Sequence, residues 1–131
     1  MAEHPNAEST RGALEAFMKG DVETMAAGIA EDAVWHVPGS HRWAGDFSGR
    51  AAIVGRFQQM AEAGTRTGLD EIHDVVGNDE HTVALVTLSA SGPGGSTTQR
   101  SVFVFHVRDG KAAEFWGYNE NQAEVDAVFG S

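Results

Sequence analysis

Histidine and aspartate side chains in three parts of the chain are the groups best suited to move a proton near neutral pH. His41 follows shortly after Pro38-Gly39, and turned inward it would act as a general base; a solvent-facing loop histidine is the plainer alternative. Asp74 faces inward if the following turn has two residues, and His73 faces inward if it has three; in the alternative interpretation either one is an outer-face residue. His36 is the next catalytic candidate, although a buried, hydrogen-bonded histidine is the commoner case.

Other kinds of catalytic centre find little support in the composition. The chain has no cysteine, which excludes disulfides, thiol nucleophiles and Cys-based metal sites. Its six histidines have neither His-x-His nor HExxH spacing, so we predict no bound metal. The glycine-rich run Ser91–Ser96 lacks a lysine and a following helix, which excludes a phosphate-binding loop. We therefore predict chemistry without a cofactor.

The charge balance limits the partners. Nine basic and 19 acidic residues give a net charge of −10, and the basic residues are scattered, so we expect no nucleic-acid binding. No apolar run approaches the roughly 18 residues of a membrane helix, so we expect no membrane partner. Residues 1–10 lack the pattern of a signal peptide, which makes a cytoplasmic protein the default. At 131 residues the chain is most simply one domain.

A strand, an aromatic loop and a helix follow one another around these candidates. Ala33–Val37 is an apolar strand that ends at Pro38-Gly39, because proline lacks an amide donor and glycine tolerates positive φ. A loop containing Trp43 follows, and a helix then runs from Ser48-Gly49 to Met60 with apolar residues at helical spacing. We expect these elements to form one wall and the rim of a small pocket.

Helices precede strands along the chain. After a loose tail, residues 1–6, we predict a helix over Ala7–Lys19 and a second from Val22 to about Glu31-Asp32. A flexible loop is expected at Ser91–Ser96. The later elements are the strands Leu69–Val76, Thr82–Ala90, Arg100–Val107 and Ala112–Asn119 and a closing helix, Glu120–Phe129. This order predicts an α+β fold with helices on one face of a curved, mostly antiparallel sheet.

Three separated segments resemble a known family. They read AxxxFxxGDxxxMxxxxAEDAVWHVPG, GRAAIVGRF and RDGKAAEFWGY, and the resemblance covers about residues 7–129. The chain resembles the SnoaL-like branch of the NTF2-like superfamily, whose relatives include ketosteroid isomerases, limonene epoxide hydrolases and polyketide cyclases. The resemblance implies an NTF2-like cone, in which a bent sheet wraps around the N-terminal helices and leaves a deep cavity, and it implies frequent dimers.

The resemblance also indicates which family acids this chain lacks. The ketosteroid isomerase base would fall at Val37, and its oxyanion-hole aspartic acid at Phe103. Phe57 takes the place of a supporting tyrosine. Valine and phenylalanine can neither accept a proton nor hold an oxyanion. The two carboxylates and the arginine of the epoxide hydrolase pattern are absent as well.

The same matches assign the two faces of the sheet. The predicted substrate-binding set is Trp35, Val37, Trp43, Phe57, Phe103, Phe105, Phe115 and Asn119. It is mostly apolar and suits a small apolar ligand, although phenylalanines that simply fill the core are the alternative. Trp116, Tyr118 and His36 alternate along their strands with the residues of this set, so they lie on the opposite, outer face of the sheet. Such amphipathic side chains favour a homodimer interface there.

Three functions are compatible with this pattern. The leading hypothesis is a cofactor-free enzyme that acts by acid/base chemistry on a small, mostly apolar molecule, as an isomerase, cyclase or dehydratase. The alternatives are a non-catalytic binder of a small hydrophobic ligand and a dimerisation module whose cavity is packed. An acid or base in the cavity distinguishes the first from the second, and the cavity volume distinguishes the third.

Overall fold

The helices and strands follow the predicted order, with one additional strand. The computed structural model describes residues 3–131. Its elements are α1 (Pro5–Met18), α2 (Val22–Ala27), β1 (Ile29–Val37), β2 (Gly45–Ser48), α3 (Arg50–Glu62), β3 (Arg66–Gly77), β4 (His81–Gly92), β5 (Gly95–Arg108), β6 (Lys111–Asn119) and α4 (Gln122–Phe129). The start of α1 is favoured by Pro5 at its first position and by the imidazole of His4, which accepts the Asn6 N–H at 3.1 Å.

The strands form one curved sheet that does not close into a barrel. Their order is β2-β1-β6-β5-β4-β3, and neighbouring strands are antiparallel except for the parallel pair β1 and β6. β1 is the first strand of the chain and β6 the last, so this pairing joins the two ends of the fold. The predicted α+β class, with N-terminal helices and a mostly antiparallel sheet, is confirmed.

Two segments differ from the prediction around β1. The helix α2 ends at Ala27, where Gly28 caps it, and the predicted extension to Glu31 and Asp32 is wrong because both residues lie in β1. A β-bulge in β1 leaves both carboxylates exposed. β2, predicted as loop, is a four-residue strand that pairs with the end of β1, and it is too short for a periodic pattern to reveal.

Two further segments predicted to be irregular belong to regular elements. Pro5 and Asn6 form the first turn of α1 and are not a loose tail, whereas residues 1 and 2 of that predicted tail lie outside the described residues. The flexible loop predicted at Ser91–Ser96 is also wrong, because β4 and β5 run through it and leave Pro93-Gly94 as the turn. The Gly94 N–H donates to the carbonyl oxygen of Val128 in α4 at 3.0 Å, which ties this turn to the helix.

Alternate residues of β1, β6 and β5 build the inner face of the sheet. Trp35 pairs with Phe115, and Phe115 pairs with Phe105, so three aromatic side chains stand in one row. From the helix side Ile53 of α3 reaches this core and is 1% exposed. The row forms the floor on which the candidate site is built.

β3 departs from simple alternation. Register shifts between Leu69 and Glu71 and between Ile72 and Asp74 interrupt its pairing with β4. As a result Leu69, Ile72 and Val75, each three residues apart, face the core. After each bulge, the side chains that follow lie on the face opposite to the one that simple alternation predicts. Counting alternate residues from a strand end therefore assigns the wrong face.

Candidate functional site

The concave face of the sheet encloses two adjoining cavities. The apolar cavity, of about 110 Å³, has walls that include Leu14, Phe17, Phe57, Phe105 and Phe115. The polar cavity, of about 70 Å³, has walls that include Val37, His41, Arg56, Ser101 and Asn119. Trp35 and Phe103 line both. Because a cavity of about 150 Å³ holds a benzene ring, the two together have room for a ligand of roughly one ring.

Trp35 is the centre of the aromatic wall. Its ring stacks on Phe57 at a centroid distance of 5.3 Å and on Phe115 at 5.4 Å. Phe105 continues the stack 5.4 Å beyond Phe115, and Phe103 lies 6.2 Å from Phe105. Such offset ring pairs add stability beyond area burial, so the wall is a rigid, preformed surface for a flat apolar ligand.

His41 lies in the wall of the polar cavity and is 7% exposed. Its Nδ1 accepts the backbone N–H of Trp43 at 3.0 Å, so the neutral ring carries its proton on Nε2. Burial lowers the pKa of His41 from 6.5, and the positive charge of Arg56 adds to this shift. The negative charge of Asp126 and a hydrogen bond to the Pro38 backbone oppose it. With Nδ1 engaged and protonation disfavoured, the imidazole is better suited to donate a hydrogen bond from Nε2 than to act as the predicted general base.

The loop that carries His41 is tied to α4. The Asp126 carboxylate accepts hydrogen bonds from both the backbone N–H and the hydroxyl of Ser40, each at 3.1 Å. Gly39 has a φ of +103°, and a side chain there would collide with Asp126 and with Gln122. The Pro-Gly signal in the sequence therefore marks both the end of β1 and the close approach of this loop to the helix.

Asn119 belongs to a polar network at the edge of the polar cavity. Its Oδ1 accepts the Ser101 hydroxyl at 2.7 Å, and its amide nitrogen donates to Gln122 Oε1 at 2.8 Å. Gln122 in turn donates to Asp126 at 3.0 Å. This network fixes the orientation of the Asn119 amide, whose second N–H forms no hydrogen bond within residues 3–131.

Arg56 is a polar-cavity residue that the sequence analysis missed. It is 4% exposed, and its Nε donates to the carbonyl oxygen of Trp43 at 3.0 Å. A signal was present in the sequence, since Arg56 lies three residues after Ile53 and four before Met60, on the apolar stripe of α3. A charged residue on such a stripe is either paired in the core or lines a cavity.

The paired candidates His73 and Asp74 lie outside both cavities. The bulges in β3 leave both residues exposed, and Asp74 lies 3.9 Å from the Arg11 guanidinium on the protein surface. Its Oδ1 accepts the N–H of Val75 at 2.9 Å. The expectation that one of the two faces the cavity is therefore wrong, because it assumed an uninterrupted strand.

His36 lies on the outer face of the sheet and lines neither cavity. Its Nε2 lies 2.6 Å from a carboxylate oxygen of Glu114, and its Nδ1 lies 2.8 Å from a carboxylate oxygen of Asp46. The hydrogen bonds to Glu114 and Asp46 raise the pKa of His36. Its ring stacks on Trp116 at 5.2 Å. His36 is therefore an ion-paired residue of the outer face, and the prediction that it is a catalytic candidate is wrong.

Trp43 also differs from its predicted role. It is 8% exposed and packs in a second hydrophobic cluster with Met60, Val125 and Phe129, outside the lining of both cavities. The other predicted substrate-binding residues line one cavity or both: Trp35, Val37, Phe57, Phe103, Phe105, Phe115 and Asn119. Trp43 acts on the site through its backbone, which holds His41 and Arg56.

Neither a metal-ligand cluster nor a membrane-spanning helix is present within residues 3–131. Within that range no group of three or more His, Cys, Asp or Glu side chains is arranged to hold a metal ion. None of the helices in the same range has the length and hydropathy needed to cross a bilayer.

The fold and the family are both found among known proteins. The family model of the SnoaL-like domain matches residues 10–115. No curated protein matches the chain. A protein of unknown function with a cystatin-like fold from Xanthomonas campestris is 24% identical, with 96% of this chain and 98% of that chain covered and a TM-score of 0.88.

Two further solved structures have the same architecture. An NTF2-like protein from Burkholderia xenovorans is 23% identical, with 98% of each chain covered and a TM-score of 0.78. A candidate polyketide cyclase from Xanthomonas campestris pv. campestris is 24% identical, with 98% of each chain covered and a TM-score of 0.78. At these identities the likeness demonstrates the fold alone. Since the family model spans most of the 131 residues, the chain belongs to the SnoaL-like family and has the NTF2-like fold.

Proposed function

We propose that this protein is a cofactor-independent enzyme that acts on a small, mostly apolar carbonyl compound, in a reaction of the isomerase, cyclase or dehydratase type. The family match supports an enzyme-like role at the level of the family. The observation that carries the proposal is the state of His41. It is a buried, neutral imidazole in the wall of the polar cavity. Its Nδ1 accepts the Trp43 N–H, so Nε2–H is the donor of the ring, and a substrate carbonyl would replace the Pro38 backbone as its acceptor.

In this proposal the apolar part of the substrate lies against the stacked rings and its carbonyl oxygen lies in the polar cavity. Nε2–H of His41 donates to that oxygen and stabilises the negative charge that develops on it as an enolate forms. A neutral imidazole polarises a carbonyl in this way without giving up its proton. The free N–H of Asn119 orients the substrate from the side.

The proton that leaves carbon needs an acceptor, and no carboxylate lines either cavity within the described residues. The substrate class follows from this constraint. A C–H group flanked by two carbonyls is acidic enough for water to accept its proton once the enolate oxygen is stabilised. Hydroxyl and amide groups at the cavity edge, those of Ser101 and Asn119, can hold that water.

The exchange of carbon-bound hydrogen for deuterium tests the proposal directly. Small cyclic ketones and 1,3-diketones of one ring are incubated with the protein in deuterated buffer and followed by proton NMR. We expect protein-dependent loss of the α-proton signal for at least one 1,3-dicarbonyl compound, at a rate above that of buffer alone. Binding of these compounds without accelerated exchange would contradict the proposal.

A second candidate function is a non-catalytic binder of a small hydrophobic ligand. The absence of a carboxylate from the lining of both cavities favours it, because most enolising sites of this kind use a carboxylate base. The same exchange experiment distinguishes the two functions, since a binder protects or leaves unchanged the α-protons of its ligand.

The outer face of the sheet supports a homodimer. Cross-strand pairing places Val83, Val104 and Trp116 in one row and Leu85, Val102 and Tyr118 in the next. Tyr118 is 56% exposed and Leu85 37% exposed. Exposed aromatic and aliphatic side chains grouped on one face are typical of an interface with a second copy.

Tyr118→Glu is expected to weaken self-association at least tenfold in analytical ultracentrifugation, because it buries an unpaired carboxylate in the proposed interface. Tyr118→Phe keeps the ring and serves as the control, with association close to that of the wild type. A wild-type protein that sediments as a monomer at high micromolar concentration would contradict the dimer.

A further inference from the structure

Arg56 is a buried cation that has no counter-ion among the described residues. Apart from the bond from Nε to Trp43, its guanidinium forms no hydrogen bond within residues 3–131, and no carboxylate in that range lies within 4.0 Å of it. Other arginines of the chain do have acidic partners: Arg11 pairs with Glu3, Arg100 with Glu120 and Arg108 with Asp32. The two terminal nitrogens of Arg56 are therefore unused donors in the wall of the polar cavity.

Three aromatic rings hold this guanidinium in place. Its central carbon lies 4.6 Å from the ring centroid of Trp35, 5.4 Å from that of Phe47 and 5.7 Å from that of Phe57. The rings stabilise the cation through their faces but accept no in-plane hydrogen bond from its N–H groups. Burial lowers the pKa of Arg56 to about 10, so the group remains protonated at neutral pH.

A buried charge that lacks a partner destabilises a fold, so a group placed in this way needs an explanation. The chain has 19 acidic residues, yet none lines either cavity within the described part of the chain. A ligand that enters the polar cavity can supply the partner that completes the site. Arginine is well suited to this role, because its fixed fork of N–H donors matches the geometry of a carboxylate.

We propose that Arg56 binds a negatively charged oxygen group of the ligand, so that the substrate class is a small one-ring compound bearing a carboxylate, a phenolate or the enolate of a 1,3-dicarbonyl. The proposal rests on the proposed function and names the substrate of the same site. The ring of the ligand occupies the apolar cavity, its charged oxygen meets the Arg56 fork, and Nε2–H of His41 donates to the same group or to a neighbouring carbonyl.

Binding of benzoate and benzamide, which have nearly the same shape and differ in charge, tests this inference by calorimetry. We expect the wild type to bind benzoate at least tenfold more tightly than benzamide, as charge-assisted hydrogen bonds are stronger than neutral ones. Arg56→Met should lose at least tenfold in benzoate affinity and keep its benzamide affinity within about twofold. Arg56→Lys keeps the charge without the fork and should fall between the two.

Arg50→Met is the matched control. Arg50 lies on the same helix and its Nε also donates to a backbone carbonyl, that of Ile29 at 2.9 Å, but it lines neither cavity. Its substitution should leave both affinities unchanged. If Arg56→Met does not fold, two other results test the inference: the affinities of the wild type for benzoate and benzamide, and the benzoate affinity of Arg56→Lys.

Equal affinities of the wild type for benzoate and benzamide, or no binding of benzoate, would overturn the inference, as would an Arg56→Met protein that still prefers benzoate. The outcome is separate from that of the proposed function. Arg56-dependent binding of acids without any α-proton exchange supports the inference and contradicts the enzyme. Exchange of a 1,3-diketone that survives Arg56→Met, together with equal wild-type affinities for benzoate and benzamide, supports the enzyme and overturns the inference.

Discussion

His41→Asn is expected to lower kcat/KM for the exchanging carbonyl substrate by about 10²–10³, the usual effect of removing one oxyanion donor. Asparagine at this position can still accept the Trp43 N–H two residues ahead, as Asx turns do, so the loop is retained. The Nε2–H donor is lost. His73→Asn, at an exposed histidine outside both cavities, is the control and should keep full activity.

The same variant should change the response of the protein to acid. Because burial lowers the pKa of His41 below 6.5, the unfolded chain binds this proton at a higher pH than the folded protein does. The stability that neutral His41 contributes is therefore present above about pH 6.5 and is lost as the pH falls towards its folded pKa. Urea midpoints measured from about pH 7.5 to about pH 5 should decline less in His41→Asn than in the wild type.

Identical pH profiles of stability for the wild type and His41→Asn would mean that His41 is not held neutral. An activity loss below about tenfold, with folding intact, would remove His41 from the mechanism. Either result would favour a binder over an enzyme.

Phe115→Ala is expected to reduce the free energy of unfolding by about 3–5 kcal/mol, the usual cost of deleting a large buried aromatic side chain. Phe115 is 7% exposed and its ring stacks on both Trp35 and Phe105, so the deletion opens the floor of the apolar cavity. Val22→Ala is the control in α2, where the residue is 45% exposed, and should cost less than about 0.5 kcal/mol. Urea unfolding at neutral pH measures both.

A loss below about 1 kcal/mol for Phe115→Ala would show that the aromatic row is not a packed core element. The substituted protein, if it folds, should also accept a one-ring ligand with an additional alkyl group more readily than the wild type.

The inner face of the sheet was accessible from the sequence because alternation is preserved where the aromatic row crosses β1, β5 and β6, away from the bulge in β1 and the register shift between β5 and β6. Trp35 and Val37 on one strand, and Phe103 and Phe105 on another, keep the two-residue period that a half-buried strand requires. β3 carries two bulges that the sequence pattern does not reveal, so the faces of His73 and Asp74 were not predictable by counting.

The chemistry of the site was less accessible, since it depends on contacts between residues far apart in the chain. The tautomer of His41 is set by the hydrogen bond that its Nδ1 accepts from the backbone N–H of Trp43. That Arg56 has no acidic partner among the described residues is visible only when the whole cavity wall is known. The position of Arg56 on the apolar stripe of α3 was nevertheless readable in advance. A cation at such a position is a signal of a ligand site as well as of a structural pair.

The ionisation of a bound phenol tests the central claim most directly, namely that the polar cavity stabilises negative charge on a ligand oxygen. The absorbance of para-nitrophenol distinguishes phenol from phenolate, so its pKa in the complex is obtained by titration. Burial beside Arg56 and the His41 donor is expected to lower that pKa by about one unit or more relative to water. Burial in a cavity without an effective cation raises the pKa of a phenol instead. An unchanged or raised pKa in the saturated complex would therefore contradict the account.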